Sequence, residues 1–255
     1  MDLKLGDKRA VITGASRGIG LATARALAAE GVRVALVARD ADALERAADV
    51  VEGVPVIATC DTGDPDSVAE MASVVTTELG GVDILVNCAA RANTGPMSDD
   101  ELPEQINVKV AGYLRCARAF APQMVERGWG RIINVSGLAA RTTGSVVGSV
   151  RNVAVSAMTK NLADEYGPAG VNVTVVHPGM TVTERFGDTL AAMAQARGTT
   201  PVEVEATLAR ATSIGRVVTA EEVADVIAFL ASPRSVAITG DAVAAGGGGR
   251  GAIYY

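Results

Sequence analysis

Apolar residues come along this chain in two textures. Short runs in which almost every position is apolar, such as Ala10-Val11-Ile12 and Val34-Ala35-Leu36-Val37, alternate with longer stretches in which apolar residues recur every three or four positions. The first texture fits strands buried on both faces of a sheet and the second fits helices laid against it. Their alternation predicts repeated βα units around a doubly wound parallel sheet of seven strands, an α/β fold. Strands are expected at 9–13, 33–38, 54–59, 83–87, 131–136, 172–177 and 237–244, with helices near 19–30, 41–50, 65–79, 100–127, 150–166 and 221–231. Asp99 or Asp100 is the expected N-cap of the fourth helix. The interval 184–215 breaks the rhythm, because its helical pattern leads into no strand, and it is read as a lid over a ligand crevice. The glycine run 246–249 reads as a flexible turn leading to Tyr254 and Tyr255.

Composition narrows the class. A chain of 255 residues with 49% hydrophobic content can bury one large core, so a single domain over 1–255 is expected. A net charge of -6 with no cluster of Lys and Arg argues against a nucleic-acid or anionic-lipid partner. The amino end is too polar for a signal peptide, and no apolar run approaches the roughly 18 residues of a membrane span, so a cytoplasmic protein without membrane contact is expected. Cys60, Cys88 and Cys116 are odd in number and widely spaced, which suits buried free thiols. His177 is the single histidine. No metal site is expected from this set.

The first chemistry lies where the first strand meets the first helix. In Thr13-Gly14-Ala15-Ser16-Arg17-Gly18-Ile19-Gly20, Gly14 permits the tight turn, Gly18 lets backbone approach a diphosphate, and Gly20 lets helix and strand pack closely. The helix N-terminus behind them presents unpaired N–H groups to an anion. This is a dinucleotide-binding turn on a Rossmann-type fold.

The spacing Thr-Gly-x-x-x-Gly-x-Gly resembles the signature of the short-chain dehydrogenase/reductase family, and the resemblance runs almost the whole length. Asp61 stands where the family's adenine-contacting aspartate ends the third strand. Asn87-Cys88-Ala89-Ala90 replaces Asn-Asn-Ala-Gly after the fourth, and Asn107 lies in Ile106-Asn107-Val108. Pro178-Gly179, with Thr183 beyond it, is similar to the loop that holds the nicotinamide carboxamide, and Ile238-Thr239-Gly240 matches the entry to the last strand. The resemblance implies a nicotinamide cofactor held by Gly14, Ser16, Arg17, Gly18, Ile19, Gly20, Arg39, Asp61, Asn87, Ala89, Pro178, Gly179 and Thr183. It also implies a small-molecule substrate and a homo-oligomer, tetramer or dimer. At the end of the second strand an acidic residue would accept from the ribose 2′-hydroxyl. Here Ala38 takes that place and Arg39 follows, with Arg17 nearby, which predicts NADP(H) over NAD(H).

The catalytic centre departs from the family. Its members place a tyrosine four residues before a lysine, but counting back from Pro178-Gly179 those positions fall on Gly148 and Asn152. The tyrosines are Tyr113, Tyr166, Tyr254 and Tyr255 and the lysines Lys4, Lys8, Lys109 and Lys160, so no shift restores the pair. Ser156-x-x-x-Lys160 has the spacing with the wrong hydroxyl and is read as structural. The family serine falls on Gly137, with Ser136 beside it. Asn107, Ser136, Ser149 and Arg151 are the candidate catalytic residues. Two functions remain open: an NADP(H)-dependent oxidoreductase with a non-standard proton route, and a dinucleotide-binding partner subunit or sensor without turnover. A phenol supplied by Tyr254 or Tyr255 of a neighbouring subunit is a third route.

Overall fold

The computed structural model describes residues 1–90 and 101–253. Its strands are β1 (Arg9–Thr13), β2 (Arg33–Ala38), β3 (Val56–Thr59), β4 (Ile84–Asn87), β5 (Gly130–Val135), β6 (Val171–Pro178), β7 (Thr181–Val182), β8 (Val218–Thr219) and β9 (Ala242–Ala245). All but β7 and β8 join one parallel seven-stranded sheet in the order β3-β2-β1-β4-β5-β6-β9. The order reverses between β1 and β4, and the crevice that such a reversal opens lies at the carboxyl ends of the strands.

Two apolar layers sandwich the sheet. Ala10, Ile12, Val34, Leu36, Ile84, Val86 and Ile133 face one way, against α1 (Gly18–Ala29), α2 (Ala41–Ala48) and α9 (Ala220–Ala231). Val11, Ala35, Val37, Leu85, Ile132 and Val173 face the other way, against α3 (Pro65–Leu79) and α5 (Gly112–Glu126). This is the period-2 alternation of a strand, with both sets buried. Small residues let helices approach closely: Ala22 of α1 meets Ala220 and Ala224 of α9.

The elements depart from the sequence pattern at several places. The expected helix over 100–127 consists of α4 (Glu101–Gln105), a π-helical turn (Ile106–Ala111) and α5; its expected cap, Asp99 or Asp100, lies outside the described residues. The next helix, α6 (Val146–Tyr166), starts four residues earlier than the pattern indicates, because the Ser145 hydroxyl accepts the Gly148 N–H at 3.0 Å. Pro55 lacks an N–H and Val54 is 98% exposed, so β3 begins only at Val56. Residues 237–241 enter β9 as a turn rather than a strand, since Gly240 has φ of +72°.

The interval 184–215 contains α7 (Phe186–Arg197) and α8 (Pro201–Arg210), which share a small apolar cluster of Phe186, Leu190, Ala194, Val204 and Val217. The expectation of a flexible glycine run at 246–249 is corrected. The Ser213 N–H donates to Gly247 and Gly248 carbonyls, and the Arg250 N–H donates to Ala211 O, so the run is tied to the end of α8. A Cβ on Gly246 would lie 2.5 Å from Leu138 Cδ1 and 2.9 Å from Gly179 N, so glycine is needed there for close contact, not for flexibility. No helix among the described residues is long and apolar enough to cross a membrane.

At the amino ends of the central strands, Asp83, just before β4, is buried between two guanidinium groups, with Arg9 Nε at 2.7 Å and Arg127 Nε at 3.3 Å. Burial alone would raise its pKa, but hydrogen bonds and charge from Arg9, with Arg127, hold it below the usual carboxylate value. A depressed native pKa gives stability that is present above the unfolded value, near 4, and is lost as pH falls through the native one. Asp83→Asn is expected to cost about 1–3 kcal/mol at neutral pH. In urea unfolding, the gap between the two proteins should close in acid.

Candidate active site

A crevice of about 560 Å³ opens at the carboxyl ends of β1, β2 and β4. Thr13, Gly14, Ser16, Arg17, Ile19, Gly20, Ala38, Arg39, Asp61, Ala89 and Thr183 all line it, so most of the residues expected to bind cofactor are brought together. The glycines explain its floor. Gly14 and Gly18 have φ of +70° and +57°; a Cβ on Gly14 would lie 2.9 Å from Ala89 backbone, and one on Gly20 would lie 2.2 Å from Gly14 O. No side chain fits at either contact. The Thr13 hydroxyl accepts the N–H groups of Cys88 and Ala89 at 3.1 and 3.2 Å, locking the end of β1 to the turn after β4.

An anion already sits at the start of α1. The Glu184 carboxylate accepts the Gly18 N–H, at 3.0 Å to Oε2 and 3.3 Å to Oε1, where the helix dipole favours negative charge. A diphosphate matches the same donor, so the turn fits a dinucleotide on its own geometry. Arg17 and Arg39 are exposed on the crevice wall, whereas Asp40 is engaged as the α2 cap, its carboxylate accepting the Ala43 N–H at 3.0 Å. Asp61 Oδ1 accepts the Gly63 N–H at 2.9 Å.

Not every expected residue faces this space. Asn87 is fully buried, its Nδ2 donating to Asn134 Oδ1 at 2.9 Å while its own Oδ1 has no partner among the described residues. Pro178 ends β6 and Gly179 follows it, both beyond the lining of the crevice itself. Asn107 is exposed, its side chain held by Gly63 O at 3.0 Å and by Arg115 Nη2 at 2.8 Å, so the π turn carries it away from Ser136, Ser149 and Arg151.

The vacated family positions lie side by side. Gly137 faces Asn152: a Cβ there would lie 3.0 Å from Asn152 Nδ2. The Ser136 hydroxyl donates to Asn152 O at 3.1 Å and the Ser149 hydroxyl to Thr142 O at 3.0 Å, so both are engaged by backbone. Arg151 donates to Gln105 Oε1, and its Nε has no partner among the described residues. Tyr113 is no substitute acid, because its hydroxyl donates to Val135 O at 3.0 Å and burial pushes its pKa well above the usual value. Lys160 pairs with Asp164 at 2.5 Å on the surface, which supports its structural reading.

Sequence reasoning missed Lys109. This side chain is buried, and its Nζ donates to Ser136 O at 2.9 Å. Burial, then the charge of Arg151, lowers its pKa to about 7. His177, at the end of β6, is pushed down to about 4 by burial, Arg141 and Lys109, and is therefore neutral near pH 7. The three cysteines are free: Cys60 and Cys116 are buried, while Cys88 is half-buried and lines the crevice.

Fold and crevice together define an α/β protein built to hold a dinucleotide at its strand ends. The family described as Enoyl-(Acyl carrier protein) reductase matches residues 14–249. Short-chain reductase protein NovJ of Streptomyces niveus is 35% identical over 246 residues, covering 94% of this chain and 92% of the relative. L-sorbose reductase from Gluconobacter frateurii, solved with NADPH and L-sorbose, superposes with a TM-score of 0.92 at 30% identity over 99% of this chain and 100% of that one. An NAD+-bound xylitol dehydrogenase superposes with a TM-score of 0.87 at 26% identity over 96% of this chain and 100% of that one. The chain belongs to the short-chain dehydrogenase/reductase family and is an oxidoreductase of that type.

The Glu184 contact yields a pair of opposed outcomes. Glu184→Gln removes a carboxylate from a helix N-terminus, an interaction worth about 0.3–1 kcal/mol, and should destabilise the ligand-free protein by that amount. The same change removes a competitor for phosphate and should tighten NADPH binding roughly 2–5-fold in a fluorescence titration. Equal affinity in the two proteins would show that the carboxylate and the ligand do not compete.

Proposed function

We propose that this protein is an NADP(H)-dependent oxidoreductase that interconverts a carbonyl and an alcohol on a small molecule. The observation that carries the cofactor choice is the wall beside the end of β2. Ala38 offers no carboxylate to a ribose 2′-hydroxyl, and Asp40 already caps α2. Arg17 and Arg39 flank the same space as exposed guanidinium groups, the geometry that suits a 2′-phosphate. L-sorbose reductase, a neighbour solved with NADPH, supports the reading. The NAD+-bound xylitol dehydrogenase shows that the fold alone does not decide it.

A nicotinamide bound here supplies hydride. The remaining work falls to this chain: Gly18 and its neighbours hold the diphosphate, Thr183 and the Pro178-Gly179 turn bound the nicotinamide side, and a protein group must exchange a proton with the substrate oxygen. Ser136, Ser149, Arg151 and Asn107 are retained as residues whose replacement tests that route. The helical pair α7 and α8 follows directly on Thr183 and Glu184, which supports its role as a lid that selects substrate. We read the chain as one domain that works in the cytoplasm, assembled as a homo-oligomer.

Replacing Arg39 by Ala should cost about 1–2 kcal/mol of NADPH binding, roughly 5–30-fold in Kd, after allowance for its exposure. NADH affinity should change less than about twofold. The double substitution with Arg17→Ala should remove the preference altogether. Isothermal titration with both cofactors decides the matter, and a wild-type protein that binds NADH more tightly than NADPH would refute the assignment.

A further inference from the structure

Lys109 is out of place by every ordinary rule for lysine. It is 4% exposed, and its hydrogen-bond partner among the described residues is the Ser136 carbonyl, although an ammonium has three N–H groups to satisfy. It sits in the π-helical turn Ile106–Ala111, a form of helix that costs backbone geometry and clusters at functional sites. That turn points Asn107 outward and Lys109 inward, to the Ser136–Gly137 peptide, where the family's serine position is vacant.

The surroundings are polar and incompletely satisfied. Asn87 Oδ1, Arg151 Nε, Asn152 Oδ1 and His177 Nδ1 are buried without partners among the described residues. They come from the ends of β4 and β6 and the early turns of α6. Such orphaned atoms in a folded protein mark the place of a water or ligand. The charged and titratable groups that act on Lys109 are Arg151 from α6 and Cys88 from the end of β4, and Lys109 acts in turn on His177. A lysine so placed passes between ammonium and amine near neutral pH, which is what general acid-base work requires.

We propose that Lys109 is the proton donor of this enzyme, taking over from the tyrosine and lysine that positions 148 and 152 lack. The inference rests on the oxidoreductase reading above. In the reducing direction the carbonyl carbon receives hydride from the nicotinamide while the oxygen receives a proton from the Lys109 ammonium. One N–H bond breaks and one O–H bond forms; Lys109 is left as a neutral amine and regains its proton from solvent. In the oxidising direction the amine accepts the alcohol proton. The donor thus moves from a phenol on α6 to an amine on the facing helix, with no tyrosine required.

The test uses the four lysines of the chain. Protein labelled with 13C at lysine Cε gives a resonance for each, and the one missing from Lys109→Met identifies the site. The expected result is that this resonance titrates near pH 7 and moves on addition of NADP+, while Lys109→Met and Lys109→Arg bind NADPH within about threefold of wild type. Across a panel of carbonyl substrates, Lys109→Met should lose about 10²–10⁴ in kcat with little change in the KM for NADPH. Lys109→Arg, folded and charged but unable to release its proton, should lose the step near pH 7 from the rate profile. A Lys109 resonance that titrates above pH 9, or that ignores NADP+, overturns the proposal even if NADPH binds. Absence of both NADPH and NADH binding to wild type overturns the proposed function and this inference with it. Should Lys109→Met fail to fold, Lys109→Arg assigns the resonance equally well.

Discussion

The functional half of the molecule depends on a close approach of backbone to backbone: α1 lies so near the turn after β1 that a single carbon on Gly20 would stand 2.2 Å from Gly14 O. Everything that recognises a nucleotide follows from that proximity. It brings the first N–H groups of α1 over the ends of β1 and β4, and it sets Arg17 beside Arg39 on one wall. It also brings Gly18 close enough to Thr183 and Glu184 for the chain after β6 to meet the first helix. A side chain at Gly20 would push the helix back, and the donors would no longer converge on one anion.

Beyond the diphosphate end, the problem is one of charge in a dry place. A family member with a tyrosine and a lysine on α6 holds its cation on the helix that also carries the acid. This chain has Gly148 and Asn152 there, and a buried lysine on the facing helix instead. Such a lysine, with no carboxylate partner among the described residues, loses hydration on burial, and its ionisation moves toward neutrality as a result. Arg151 reinforces the shift by opposing a second positive charge nearby. The same two effects that make Lys109 expensive in the folded state make its proton easy to give up. Cys88 and Tyr113 move the opposite way, because burial penalises thiolate and phenolate, so neither competes with the amine as a charged group.

The strands and most helices were legible in the sequence because burial on both faces of a parallel sheet leaves an apolar run that a solvated strand does not. The glycine turn was legible because its roles are steric and local. Asn107 and Lys109 show where legibility ends. Each residue of a regular helix turns about 100°, so one extra residue in a turn exchanges the faces of everything around it. Nothing in Ile106-Asn107-Val108-Lys109 announces a π turn; the inward face is decided by packing against Thr62, Ser136 and α6. The signal that was available was compositional: a chain with four lysines places one of them between Val108 and Val110 of the expected helix. The glycine run 246–249 misled for a related reason, since glycine in sequence means either freedom or contact, and only the neighbours at Leu138, Gly179 and Ser213 distinguish the two.

Glu184 joins the two ends of the site. Its carboxylate holds the N-terminus of α1, and two residues later the chain enters α7, whose Phe186 anchors the apolar cluster shared with α8. β7 on one side of this connection and β8 on the other pair through Thr181, Val182, Val218 and Thr219, so both ends of the helical pair are held at one short ladder. A ligand phosphate that takes the Gly18 N–H must displace the carboxylate, which is exposed and can turn away about its own side-chain bonds. The start of the first helix and the start of the helical pair thus meet at one side chain, which an incoming phosphate replaces without disturbing the short ladder of β7 and β8.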